Sequence, residues 1–339
     1  MSTETIRQPA IEDEAMTISQ RRNVNRRRVL FIGAALAGAA LVSPALAASS
    51  ETVAQWRGIA LGADATLQLA GVTQAQAAPV FHAVEQEISR LEQVFSLYRG
   101  DSALMRLNAA GVLETPPQEM LALLGQAHAA WLATDGLFDP TVQPLFQAMA
   151  EHYTSGRTGR PTLDAALSRV GFDKVHFDAD AVRFARPGMA MTFNGIAQGY
   201  LTDRVTALLR AQGFDNVLVD LGEIRALGPG RHGGGWRVGL ARPGASAAMP
   251  HLIDVRDRAV ATSAMLGTTF DQAGKAGHIL HPLHGIAPVW RKQVTVLADN
   301  ATQADALSTA ATLMDDAGID RLRAKGVTVL AYPDKPASA

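Results

Sequence analysis

The chain has 339 residues, 47% of them hydrophobic and 19% charged, which is ample apolar material for one large domain or two modest ones. Its 31 basic and 32 acidic residues nearly balance, and outside the N-terminal region there is no basic cluster, which argues against nucleic acid as a partner. There is no cysteine, so disulfides, thiolate metal sites, a cysteine nucleophile and a lipid anchor on an N-terminal cysteine are excluded.

The first 28 residues are polar and charged and contain Arg21-Arg22 and then Arg26-Arg27-Arg28. An uninterrupted apolar and Gly/Ala run follows from Val29 to Val42, then Ser43-Pro44 and the small-residue site Ala45-Leu46-Ala47. This is the layout of an export signal, and its 14-residue apolar run falls short of the roughly 20 residues a bilayer span needs. Arginines directly before a mildly hydrophobic, Gly/Ala-rich segment predict a twin-arginine-type signal peptide over residues 1–47, read by the twin-arginine export machinery. The alternative reading is a basic amphipathic tail on a membrane surface. Cleavage after Ala47 removes six arginines and four acids, leaving 25 basic and 28 acidic residues, a formal charge of −3. The mature chain, residues 48–339, is then expected to be soluble and periplasmic, with no stable membrane insertion.

Two short strands are predicted over residues 57–61 and 66–70, joined by a Gly62-Ala63-Asp64 turn. Phe81, Val84, Ile88, Leu91 and Val94-Phe95 recur at helical spacing. A second helix runs from about Gln118 to Thr134 on the stripe Met120, Leu123, Leu124, Ala127 and Trp131, and stops at Asp135-Gly136. A third begins near Gln198 and reaches Gly213, followed by a buried strand over residues 216–222. A strand over 293–298, a helix from Thr302 to about Asp315 and a strand over 326–332 close the chain. Strands and helices alternate irregularly, so the expected class is α+β, with mixed sheets, packed helices and no firm domain boundary.

Four constellations could carry chemistry. Asp305 and Thr309 stand four apart on the last helix, so their oxygens share a face and could hold a hard cation such as Mg²⁺; Thr302 and Asp305 also fit a capping box. Thr192 to Tyr200 is a glycine-containing turn into a helix, suited to phosphate or simply a helix start. His278, His281 and His284 recur at intervals of three; Pro282 breaks helical geometry between them, so a zinc cluster is disfavoured and His278 alone stands as an acid, base or phosphate contact. Gly136-Leu137-Phe138-Asp139-Pro140 is a helix-ending turn that could hold an aromatic ring system or begin core packing.

The order of these segments resembles the ApbE family of FAD:protein FMN transferases. The succession is Phe95-Ser96-Leu97-Tyr98 with Ser102 and Asn108, Gly136 to Pro140, Gly195 to Tyr200 with Asp203, Asp220 to Arg225, Ala261-Thr262-Ser263, His278 to Pro282 with Gly285, and Ala304 to Thr309. It covers residues 55 to 331. The resemblance implies an ApbE-type domain over residues 48–339 that moves FMN from FAD to a threonine of a client flavoprotein, with Mg²⁺ as cofactor and AMP released. By the match, the metal would lie on Gly195, Asp305 and Thr309 with Ser308 close by. FAD would meet Leu61, Tyr98, Leu137, Phe138, Asp139, Thr192, Gln198 and Ile279, and His278 and Asp305 would be catalytic. A non-catalytic flavin-binding accessory and an FAD pyrophosphatase are the alternatives. The sequence departs from the family pattern at Thr192, where an acid is usual, at Gln198, where a lysine is usual, and at His281 and Leu283, where an acid and an arginine are usual.

Overall fold

The computed structural model describes residues 52–333 apart from 158, 231–232, 241–250 and 290. The expected export signal lies outside these residues. Twelve described strands are β1 Val53–Ala60, β2 Ala63–Ala70, β3 Val112–Glu114, β4 Val175–Phe177, β5 Ala181–Phe184, β6 Val217–Asp220, β7 Ile224–Leu227, β8 Trp236–Leu240, β9 His251–Val255, β10 Ala259–Ala264, β11 Arg291–Ala298 and β12 Thr328–Pro333. The helices are α1 Gln74–Phe95, α2 Ala103–Ala110, α3 Gln118–Ala133, α4 Gln143–Thr154, α5 Asp164–Leu167, α6 Ala197–Ala211, α7 Ala301–Ala311 and α8 Asp316–Ala324.

A seven-stranded sheet in the order β1-β2-β6-β7-β10-β11-β12 forms the centre, and every neighbouring pair in it is antiparallel. Strand β6 shows how the sheet is buried. Val217 and Val219 face the helices in the main core, while Leu218, between them, joins Ile224, Val260 and Trp236 in a second cluster under the β8–β9 ribbon. The period of two therefore divides one apolar run between two covered faces, as the sequence pattern required. A third cluster, built on Leu145, Met149, Phe270 and Leu280, packs α4 against the segment that carries the histidines. The α+β expectation holds.

Local chemistry explains the element ends. Thr73 and Gln76 form a reciprocal capping box that starts α1 at Gln74, seven residues before Phe81, the first residue of its predicted apolar stripe. The hairpin turn is tighter than expected. Leu61 and Gly62, at φ 49° and 85°, make the whole connection between β1 and β2, and Glu92 Oε1 accepts from Leu61 N at 2.9 Å. Among the described residues no helix is long and apolar enough to cross a membrane.

Candidate active site

The residues singled out in the sequence converge on one cleft. Its walls include Leu137, Phe138 and Asp139 from the turn after α3, Thr192, Gly195 and Gln198 from the turn into α6, His278 and Ile279 from the histidine segment, and Asp305 and Thr309 from α7. Leu61 and Tyr98 line a smaller adjoining hollow that shares Asn194 and Gln198 with the cleft, so the two form one continuous surface.

The turns are tied to one another. Thr192 N donates to Pro140 O at 2.8 Å, and Asn108 exchanges two hydrogen bonds with the Met191 backbone at 2.7 and 2.8 Å, which fixes the approach to α6. The Asp139 carboxylate is spent on structure: it accepts from Thr141 N at 2.8 Å, from Thr141 Oγ1 at 2.5 Å and from Phe172 N at 3.0 Å. Asp139 therefore presents its backbone and the neighbouring Phe138 ring to the cleft more than its charge. Burial raises its pKa, and those hydrogen bonds oppose the rise.

The helix α7 does not begin as the capping-box reading of Thr302 and Asp305 expects. Asn300 is the cap, accepting from Gln303 N at 2.8 Å, and Thr302 lies inside the first turn. A carboxylate from another helix does the remaining work: Asp203 accepts from Ala301 N at 2.8 Å, Thr302 N at 2.8 Å and Thr302 Oγ1 at 2.6 Å. Asp305 is thereby released from capping, and its Oδ2 accepts from Gly199 N at 3.0 Å. One of the amides expected to be available to phosphate at the start of α6 is thus taken by Asp305.

Electrostatics single out three buried carboxyls. Burial pushes Asp305 up to about 7, with Asp203 adding to the rise and the Gly199 amide opposing it. Burial likewise pushes Asp220 up to about 6. Glu223, also on the cleft wall, is driven well above the ordinary carboxylate range by burial and by the facing charges of Asp305 and Asp220. Among the described residues no cationic side chain offsets any of the three. Such a group favours an added cation, because each buried carboxylate is costly unless paired. Among the described residues no three His, Asp or Glu side chains converge as a metal cage. The donors the cleft offers are of another kind: one carboxylate and the Thr309 hydroxyl, with the Gly195 backbone so near that a Cβ there would stand 3.0 Å from Thr309 Oγ1. That all-oxygen, incomplete set fits Mg²⁺, which keeps waters and takes substrate phosphate oxygens. Ser308 sits one layer behind. Fully buried, it donates to Asp305 O at 3.0 Å and shares a 2.7 Å hydrogen bond with Ser263 Oγ, which does reach the cleft.

The histidines separate in function. His278 Nδ1 lies 3.0 Å from Thr268 O; a carbonyl only accepts, so Nδ1 carries the proton and Nε2 keeps a lone pair. Burial lowers the pKa of His278 and this bond partly opposes the fall, so the net shift favours the neutral ring. His281 and His284 instead pack against each other with centroids 4.4 Å apart and ring planes tilted by 31°, at a turn whose tip, Leu283, is exposed. Gln198 lies against Gly222, where a Cβ would approach its Nε2 to 2.6 Å, so a neutral amide occupies this part of the wall.

Glu223, Asp220, Ser263 and Asp203 acquire their significance from the fold. Glu223 had one local signal: an acid between Leu221 and Ile224 in an apolar run has to be buried, and a buried acid needs a reason.

The model of the ApbE family matches residues 61–331. The chain is 34% identical over 260 residues to the FAD:protein FMN transferase of Treponema pallidum, covering 69% of this chain and 72% of that protein. It is 29% identical over 266 residues to the FAD:protein FMN transferase of Vibrio cholerae, covering 73% and 78%. Among solved structures, the ApbE protein of Thermotoga maritima superposes with a TM-score of 0.73 at 26% identity, covering 83% of this chain and 94% of that one. The flavin transferase ApbE of Vibrio cholerae superposes with a TM-score of 0.72 at 23% identity, covering 84% and 94%, a likeness of fold.

Proposed function

The chain belongs to the ApbE family, and from that premise we propose that it transfers FMN from FAD to a threonine hydroxyl of a client protein and releases AMP. The observation that carries this reading is the single cleft that joins the Leu137–Asp139 turn, the Thr192–Gln198 turn, His278 and the Asp305–Thr309 face of α7. Leu61, Tyr98, Leu137, Phe138, Thr192, Gln198 and Ile279 would bind FAD along this surface.

In the step proposed, the client hydroxyl oxygen forms a bond to the FMN-side phosphorus while the bond from that phosphorus to the bridging oxygen breaks, and AMP leaves with the electron pair. The hydroxyl proton passes to His278 Nε2, which the Thr268 carbonyl keeps in the accepting tautomer. Mg²⁺ held by Asp305, Thr309 and the Gly195 carbonyl would neutralise charge on the pyrophosphate. Asp305 is kept in place for this by the Gly199 amide, and Ser308 supports both Asp305 and the Ser263 rim. Gln198 contributes hydrogen bonding without charge, so more of the phosphate neutralisation falls to the cation than a lysine there would require.

The test is flavin fluorescence of a client protein band on a denaturing gel, after incubation of the mature chain with FAD and Mg²⁺ beside Asp305→Ala. The expected result is a covalent fluorescent band with client-dependent AMP release, both lost in the variant. AMP released without client would mean an FAD pyrophosphatase, and bound FAD with no AMP would mean a flavin-binding accessory. We further propose that residues 1–47 direct twin-arginine export to the periplasm; N-terminal sequencing of the exported chain is expected to begin at Ala48, and an intact N-terminus in a cytoplasmic fraction would refute it.

A further inference from the structure

Helices α6 and α7 meet through a regular antiparallel ladder. On α6 and its entry turn, Gly195, Gly199 and Asp203 are spaced four apart; on α7, Ala301, Asp305 and Thr309 are spaced four apart, so each set shares one face. They pair in reverse order. At the far end Asp203 takes the Ala301 and Thr302 amides. In the middle the Gly199 amide donates to Asp305, and Gly199 lies so close to α7 that a Cβ would stand 2.3 Å from Ala301 O. At the cleft end the Gly195 backbone meets the Thr309 hydroxyl.

Each end of the ladder does different work. The cleft end carries the three oxygen donors proposed for the cation, but glycine and threonine there offer no strong mutual bond. At the far end Asp203 takes two first-turn amides of α7, those of Ala301 and Thr302, where Asp305 takes one of α6, that of Gly199. Two of the first-turn N–H groups of α7 would otherwise lack partners, and the positive end of the helix dipole favours an anion at that spot. Arg225 reinforces the same end by donating to Asp299 O, just before the helix. Thr202 Oγ1 joins α6 to the Glu223 carbonyl at 3.2 Å, binding the ladder to the sheet. Because α7 is a rigid rod, its register against α6 is set where the strong bonds are, and Asp305 and Thr309 follow one and two turns on.

We infer that Asp203 is a positioning residue for the cation site: it fixes the register of α7 on α6 and so the placing of Asp305 and Thr309 beside Gly195. It touches neither cation nor substrate. The inference rests on the Mg²⁺ reading proposed above. Outer partners of metal ligands typically contribute about 10- to 100-fold in metal affinity, and Asp203 belongs at the lower end of that range because it acts through a helix.

The experiment titrates Mg²⁺ alone into the mature chain and follows the unfolding temperature, which binding raises by mass action. Wild type is compared with Asp203→Ala and Asp203→Asn; the asparagine keeps one acceptor oxygen. A purely structural loss lowers the unfolding temperature equally at all Mg²⁺ concentrations. Positioning also moves the half-saturating concentration, read as the Mg²⁺ concentration at which the unfolding temperature begins to climb with the logarithm of concentration: a rise of about tenfold in Asp203→Ala and a smaller one in Asp203→Asn is expected. Unchanged half-saturation in both variants overturns the inference while leaving the cation site standing. If Asp203→Ala does not fold, Asp203→Asn carries the same comparison, with an unchanged half-saturation again overturning it. A wild-type chain with no response to Mg²⁺ overturns the cation reading itself.

Discussion

Where α6 and α7 close the cleft, the polar groups are buried and matched: Asp305 and Thr302 are 3% and 1% exposed, and both hold backbone or side-chain partners from the other helix. At the opposite rim Tyr98 is 45% exposed, and its hydroxyl has no protein partner among the described hydrogen bonds; only its backbone N–H is held, by Ser96 Oγ at 3.0 Å. Regular helices thus carry the groups whose spacing must be kept to fractions of an ångström, and turns carry the surface that a large substrate must enter and leave. The difference also orders the sensitivity of the protein to change. Substitutions near the helix pair should alter chemistry and stability together, and those at the open rim should alter affinity alone.

The largest effect is expected at His278, which lies between the two regions. Its replacement by alanine removes the proton acceptor, and transfer should fall by about 10²- to 10⁴-fold with FAD binding nearly unchanged, measured as the rate of client fluorescence gain and by flavin titration. The same residue sets a pH dependence. Its folded pKa lies below the unfolded value of 6.5, so above that value both states are neutral and no stability is at stake. As pH falls through 6.5, the unfolded chain takes up a proton that the folded chain resists, and stability is lost down to the lowered folded pKa. His278→Gln should show a smaller loss over that window in thermal unfolding. Equal acid sensitivity of the two proteins would remove burial of His278 from the account.

Gly199 tests the rigidity of the helix pair. An added Cβ would meet the Ala301 carbonyl, which is backbone and cannot swing aside. Gly199→Ala should therefore cost about 1–3 kcal/mol, read from the urea midpoint at constant slope, and should weaken the Mg²⁺ response. A wild-type midpoint would mean that α6 and α7 slide easily, and the contrast between the two walls would fail.

These outcomes bear on what could be read from the sequence. Helices α1, α3, α6 and α7 are legible because each gives several turns of apolar period, whereas α4, twelve residues entered through Gln143-Pro144, is not predicted. Strand β6 is legible as a fully buried run. Strands β3, β4 and β5 are not, since three or four residues show too little period to distinguish them from loop. The turn after β1 lies one residue earlier than its glycine signal implies, because Leu61 adopts a left-handed conformation with its amide held by Glu92, a contact 31 residues away. The capping of α7 was misread for a similar reason. Thr302 and Asp305 satisfy a local rule, but Asp203, 98 residues before Ala301, supplies the oxygen. The cleft itself was legible through the order of its segments, including Leu61 and Tyr98 at its margin. What the order could not convey was which side chains point inward with their charge, and there Asp139 and Ser308 differ from Asp305 and Thr309.

The smallest effect belongs to the open rim, and it is the sharpest check on the contrast. Burial raises the pKa of the Tyr98 phenol, so the hydroxyl is un-ionised across the working range and offers the rim an aromatic face with a hydrogen-bond donor. If the ring stacks on part of FAD, its loss removes an aromatic contact of about 0.5–1.5 kcal/mol, which corresponds to about 2- to 12-fold in affinity. Tyr98→Ala should weaken FAD binding by that factor, leave the maximal transfer rate intact and leave the unfolding temperature of the flavin-free protein near wild type. Tyr98→Phe should restore most of the affinity, because the ring and not the hydroxyl makes the contact. A fall in maximal rate in Tyr98→Ala would show that the rim helps to align the reacting phosphorus, and the division between a positioning wall and a binding wall would then have to be redrawn through Asn194 and Gln198, the two residues common to both hollows.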